Sequence, residues 1–233
     1  MRQVLVTRQK SQSTELVRLL EKEGFQVFSL PLIETSPTGA EIPASEYDVA
    51  VFTSPVAVSS FAPNFGKVKF RYTVAVGTKT AKKLGEYGIT PDGIPDEFSA
   101  EGLIRMFSEI DVKGMTVLSP GAEKRAGDLC GYLAERGAIV DKISTYKTSP
   151  VIYEKGFVDK YLKDNGIDII TLTAPSAAES LLSQTENLKS VTLVSIGKTT
   201  WQYLKERGHD SVYPQVQTIE GMTELIANLY KGV

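Results

Sequence analysis

The chain has 233 residues, of which 42% are hydrophobic and 23% charged, with a formal net charge of −2. That supplies a core for one large domain or two small ones, while the near-neutral balance gives no whole-molecule attraction to nucleic acid or to an anionic membrane. A single histidine, His209, and a single cysteine, Cys130, are too few for a zinc site, an internal disulfide or a Cys–His nucleophile pair.

In chain order, VLVTR (4–8) reads as a strand, followed by a helix with Leu16, Leu19 and Leu20 on one face and Gly24 at its end. MRQVLVTRQ enters that strand without the apolar core of a signal peptide. No apolar run reaches the length of a membrane span, and a cytoplasmic location is expected. Val49–Thr53 and Val74–Val76 are short doubly apolar runs, the pattern of buried parallel strands. Ser99 caps a helix expected from Glu101. TVLSP (116–120) precedes DLCGYLAERG, where Leu129 and Leu133 place Cys130 on a buried helix face. Strands follow at Ile167–Leu172 and Val191–Ile196. His209 falls in the solvated helix-ending turn ERGHD, and Thr218 caps a helix expected from Glu220.

Much of this is written twice. GFQVFSLPLIETSP (24–37) matches GAIVDKISTYKTSP (137–150), and each follows an apolar strand and a helix. YDVAVFTSPVAVSS (47–60) matches IDIITLTAPSAAES (167–180), TVAVGTKTAKKLGEYG (73–88) matches LVSIGKTTWQYLKERG (193–208), and EFSAEGLIRMF (97–107) matches QTIEGMTELIA (217–227) one residue out of step. The order of repeats is therefore A, B, A, B, as an old duplication leaves it. Alternating strands and helices predict an α/β fold of two parallel-sheet lobes, flavodoxin-like, each with about five strands. Matched Pro-containing stretches at 31–37 and 144–150 suggest a two-stranded linker, which makes 1–35 with 150–233 one lobe and 37–148 the other. A sequential division near residue 113 is the competing arrangement.

In doubly wound sheets ligands bind beyond the carboxyl ends of strands, where helix N-termini favour carboxylates and phosphates. Arg8, Thr53, Ser54, Gly77, Thr78, Thr80, Ser99, Thr173, Ser176, Gly197, Lys198, Thr199 and Thr200 fall at such turns. Ser and Thr are also ordinary helix caps there, and Gly relieves a tight turn. Further basic residues near this edge are Lys10, Lys79, Lys124 and Arg125. GTKTA is too short for a Walker loop, and no GxGxxG follows a strand. Tyr146 occupies the second linker where the first repeat has Ile33, which puts a phenol between the expected lobes. Its two readings are a packing residue and a proton donor.

VLVTR, FTSPVAV, VAVGTKTA, SAEGL, the Arg125 segment before LAERG, STYKT, TAPSAA and IGKTT together resemble the uroporphyrinogen-III synthase family in order and spacing over essentially the whole chain. The resemblance implies two α/β lobes on a two-stranded linker and a monomer without cofactor. The implied substrate is hydroxymethylbilane, a linear tetrapyrrole with eight carboxylates. Its cyclisation to uroporphyrinogen III inverts ring D. It implies Tyr146 as proton donor to the departing hydroxyl and the turns named above as substrate ligands. Ala174, Lys198 and Trp201 depart from the family pattern, where Ser, Pro and Ala are usual. The residues by themselves leave two other readings, a non-catalytic two-lobe binder of a small anion and a two-lobe glycosyltransferase.

Overall fold

The computed structural model describes residues 2–123, 125 and 127–230; Lys124 lies outside them. The chain divides into two compact units, one running up to Thr35 and resuming at Thr148, the other Ser36–Lys147. The boundaries fall at the two Thr-Ser-Pro segments and not near residue 113.

The discontinuous unit holds β1 (Gln3–Val6), α1 (Lys10–Lys22), β2 (Gln26–Ser29), α6 (Phe157–Asp164), β8 (Ile169–Leu172), α7 (Pro175–Leu182), β9 (Thr192–Ser195), α8 (Lys198–Lys205) and α9 (Ile219–Tyr230). Its sheet is parallel in the order β2-β1-β8-β9. That is four strands where the sequence suggested five. Successive residues enter opposite layers: Val4 and Val6 pack with Leu16, Leu20 and Met222, whereas Leu5 packs with Ile170, Leu172 and Leu193. Burial on both faces explains why these strands lack polar alternation. α1 ends where the sequence predicts, with Gly24 in the left-handed region at φ 87°.

The continuous unit holds β4 (Glu46–Phe52), α2 (Pro55–Phe61), β5 (Lys69–Ala75), α3 (Thr78–Gly85), α4 (Ala100–Ser108), β6 (Thr116–Ala122) and α5 (Leu129–Glu135). With β3 (Ile33–Pro37) and β7 (Ile139–Pro150), which carry the chain across the unit boundaries, its strands form a sheet in the order β3-β7-β6-β4-β5. The duplication is visible in the register. β1 meets β8 with Val4 opposite Ile169, and β6 meets β4 with Val117 opposite Val49. The repeat that aligns Gly24 with Gly137 aligns Val4 with Val117, and the other repeat aligns Ile169 with Val49. Each sheet therefore joins one A and one B repeat at the same register.

The caps at the two helices that end the B repeats also correspond. Ser99 Oγ accepts from Gly102 N at 3.0 Å, and Thr218 Oγ1 accepts from Gly221 N at 3.1 Å. In both, the chain before the cap folds back so tightly that a Cβ on Gly102 would lie 1.9 Å from the Glu97 carbonyl oxygen, and one on Gly221 2.1 Å from that of Val216. Backbone must shift to admit a methyl group. Gly102→Ala and Gly221→Ala should each lower stability by about 1–3 kcal/mol in chemical denaturation. Gly85→Ala, whose Cβ enters open space at the end of α3, should be neutral or stabilising.

Tyr47 is buried at the start of β4 and donates to Asp141 Oδ2 at 2.6 Å. Burial first, then the Asp141 hydrogen bond and negative charge, push its phenol up to about 12 from a reference of 10.0. Between those values the unfolded chain ionises while the folded one keeps its proton, so stability falls as pH rises through that window. Denaturation of the parent and Tyr47→Phe at pH 9 and at pH 12 should show the smaller alkaline loss in the variant. Among the described residues no helix is long and apolar enough to cross a membrane.

Candidate functional site

The predicted residues stand at the carboxyl ends of strands in both units, but the structure separates them by accessibility. In the continuous unit β4 runs into Thr53 and Ser54, both half-buried, and Ser54 Oγ caps α2 by accepting from Ala57 N at 3.0 Å. Gly77 and Thr78 open α3, with Thr78 exposed, whereas Thr80 is 2% exposed and faces the core. In the discontinuous unit Thr173 and Ser176 flank the start of α7, and Gly197, Lys198 and Thr199 open α8. Thr200, the counterpart of Thr80, is likewise 2% exposed. The side chains of Thr80 and Thr200 are thus turned away from solvent, which leaves their main chain for any contact at these turns. The cause is the helical period, which turns the third residue of each helix inward.

The two versions of each turn differ in how their N–H groups are satisfied. Ala174 stands where α2 has Ser54, and α7 has no side-chain cap. At α8 the Lys198 N–H is taken by Gln217 Oε1 at 3.0 Å. At α3 the corresponding space over Gly77 is filled by Phe98, whose Cγ lies 2.8 Å from where a Cβ would be. One helix start is covered by an amide, the other by an aromatic ring. Trp201 leans on Tyr213, ring centroids 5.4 Å apart, with Lys205 Nζ 4.7 Å above its ring.

Within the continuous unit a cavity of 330 Å³ gathers Thr53, Ser54, Ser99 and Tyr146, together with Phe98, Arg125 and Cys130. Ala122 and Tyr146, which pair just past a register shift between Gly121 and Ala122, both line this cavity. Tyr146 is half-buried against the layer of Phe52 and Leu118, as Ile33 is against the equivalent layer of the other unit. Its Oη lies 3.4 Å from Ser54 Oγ. Since Ser54 already accepts the cap bond, it can donate to the phenol and leave the phenol O–H for another acceptor. Cys130, expected on a buried helix face, is half-buried and lines the cavity in the first turn of α5.

Sequence reasoning placed Arg125 among the basic residues near the edge and within a family-like segment, but gave it no role of its own. Its Nε donates to Ala122 O at 2.7 Å, Nη1 to Ser119 O and Ser119 Oγ at 2.9 Å each, and Nη2 to Ile143 O at 2.6 Å. All four acceptors are uncharged. Burial lowers its pKa from the usual arginine value, and a lone desolvated cation is a standing attraction for an anion. Arg8, half-buried after β1, likewise bonds a neutral partner, Gln12 Oε1 at 3.0 Å, and burial lowers its pKa too. Lys10, Lys79 and Lys198 are exposed.

These units and turns define a parallel-sheet α/β protein whose polar groups collect at strand ends and helix starts. Over residues 14–224 the chain matches the family model described as uroporphyrinogen-III synthase HemD, and it belongs to that family. A uroporphyrinogen-III synthase from Chlorobaculum parvum is 29% identical, with 89% of this chain and 90% of the relative aligned. The chloroplastic uroporphyrinogen-III synthase of Oryza sativa is 28% identical over 96% of this chain and 79% of its own length. The crystal structure of uroporphyrinogen-III synthetase from Helicobacter pylori superposes with a TM-score of 0.71 over 98% of this chain and 100% of that one, at 21% identity. At that identity it speaks for the fold alone.

Proposed function

We propose that this chain converts hydroxymethylbilane to uroporphyrinogen III, in tetrapyrrole biosynthesis. The observation that carries the reading is the family match across 14–224, with full-length relatives named for that reaction. The two units are on this reading flavodoxin-like lobes, since each contains four parallel strands in the order second, first, third, fourth, and β3 and β7 are the two-stranded linker. The enzyme works as a cytoplasmic monomer without a cofactor.

The chemistry asks little of the protein beyond positioning and proton transfer. The terminal hydroxyl leaves as water when Tyr146 donates its proton, and the remaining azafulvene is attacked by the substituted α-carbon of ring D. The resulting spiro intermediate breaks the bond from ring D to its original bridging methylene. That methylene recombines with the free α-carbon of ring D, whose lost proton restores the phenol. Thr53, Ser54, Gly77, Thr78, Ser99, Thr173, Ser176, Gly197, Lys198 and Thr199, with Arg8, bind the carboxylates, largely through backbone N–H groups. Thr80 and Thr200 can contribute only their main chain. Freshly prepared hydroxymethylbilane, followed by separation of the uroporphyrinogen isomers, tests the assignment. Isomer III is expected, and isomer I alone, the spontaneous product, would reject it.

A further inference from the structure

We propose that Arg125 is the carboxylate anchor of a one-ring subsite in the continuous unit, and that it replaces a strand-end arginine which the duplication left only in the other unit. The repeat that pairs Val4 with Val117 pairs Arg8 with Gly121. The space a side chain at 121 would occupy is filled by the Arg125 guanidinium, whose Cζ lies 3.0 Å and Nε 3.1 Å from the missing Cβ. Each unit thus presents one guanidinium at the carboxyl end of the equivalent strand, β1 or β6. In one it comes from the matched position just past the strand, in the other from four residues beyond that position.

The Arg125 site is built rather than incidental. Three carbonyls and a serine hydroxyl fix the fork, a glycine makes room for it, and the bulge at Gly121–Ala122 turns the chain so that it reaches back. Four of its five N–H groups are engaged in these bonds, which leaves one Nη2–H and the whole charge for a ligand. No acid among the described residues forms an ion pair with it; Asp128, on the same cavity wall, is committed to capping α5 through Gly131 N at 3.0 Å.

A cavity of 330 Å³ is at the small end for organic ligands. It admits one pyrrole with its acidic arms and not a tetrapyrrole. Phe98, 58% exposed at its edge, offers an aromatic face to such a ring. The proposal rests on the assigned reaction in one respect: because Tyr146 lines the same cavity, the ring held there is the one bearing the hydroxymethyl group.

Steady-state kinetics with hydroxymethylbilane on the parent, Arg125→Gln and Arg125→Lys would test this. We expect the Gln variant to raise KM about ten- to a hundredfold, as loss of a charge-assisted contact does, with a smaller change in kcat. The Lys variant keeps the charge but not the four-bond fork, so it should recover part of that loss, a rescue that a purely structural arginine would not show. A bilane carrying methyl and ethyl in place of acetate and propionate on the hydroxymethyl ring should raise the parent's KM by a similar factor, with no further rise in Arg125→Gln. A folded Gln variant with the parental KM, or effects of variant and truncated bilane that simply multiply, would overturn the subsite. If Arg125→Gln fails to fold, the truncated bilane on the parent decides: an unchanged KM overturns the proposal. A parent that makes no isomer III defeats the assigned reaction instead, an outcome separate from all of these.

Discussion

Tyr146→Phe should lower kcat on hydroxymethylbilane by about 10²-fold or more while leaving KM within a few-fold of the parent. The substitution removes one oxygen and keeps the ring, so packing against Phe52 and Leu118 survives. The lost Ser54–Tyr146 contact, at 3.4 Å, is too long to contribute much to stability. What disappears is a proton donor in reach of a ligand, and general acids of this kind typically account for 10²–10⁴ in rate. As enzymatic turnover slows, spontaneous closure competes, so the share of isomer I should rise in the same assay. Unchanged turnover would remove the phenol from the mechanism and leave it as a wall of the cavity.

Phe52→Ala should produce the largest loss of stability among single core truncations, about 3–5 kcal/mol. Phe52 is fully buried on β4, the strand between β5 and β6. Its ring lies 5.7 Å from Phe61, 5.9 Å from Phe65 and 6.3 Å from Phe70, and Phe61 and Phe65 are themselves 5.2 Å apart. Phe70 also meets Phe61 and Phe65, so each of the four rings touches the other three, and removing the fully buried Phe52 leaves a cavity that the remaining rigid rings cannot fill. Native domains are stable by only about 5–15 kcal/mol, so the denaturant midpoint should fall by a large fraction of its parental value. Thr53 and Ser54 continue directly from Phe52, so the cavity edge should loosen with it. A loss below about 1 kcal/mol would mean the cluster closes over the gap.

The sequence was sufficient for those features that depend on local pattern. Doubly apolar runs marked the strands because both sheet faces are covered. Ser54, Ser99 and Thr218 announced helix starts because a short side-chain oxygen has one geometrically favoured use there, and Gly24 marked an end because a left-handed residue was required. The duplication was legible from aligned residues alone. Which repeats share a sheet was not. The pairing of β1 with β8 and of β6 with β4 joins residues more than sixty positions apart, and no local propensity encodes such a choice; it is set by which apolar faces can bury one another. The same holds for the site. Thr80 and Thr200 looked equivalent to their neighbours until the helix turned them inward, and Gln217 and Phe98 reach the two helix starts only through a loop fold. Arg125 reads as an ordinary basic residue along the chain. Only the bulge at Gly121 and the carbonyls of Ser119, Ala122 and Ile143, brought together by the β6–β7 pairing, make it a fixed cation without an ion-pair partner among the described residues.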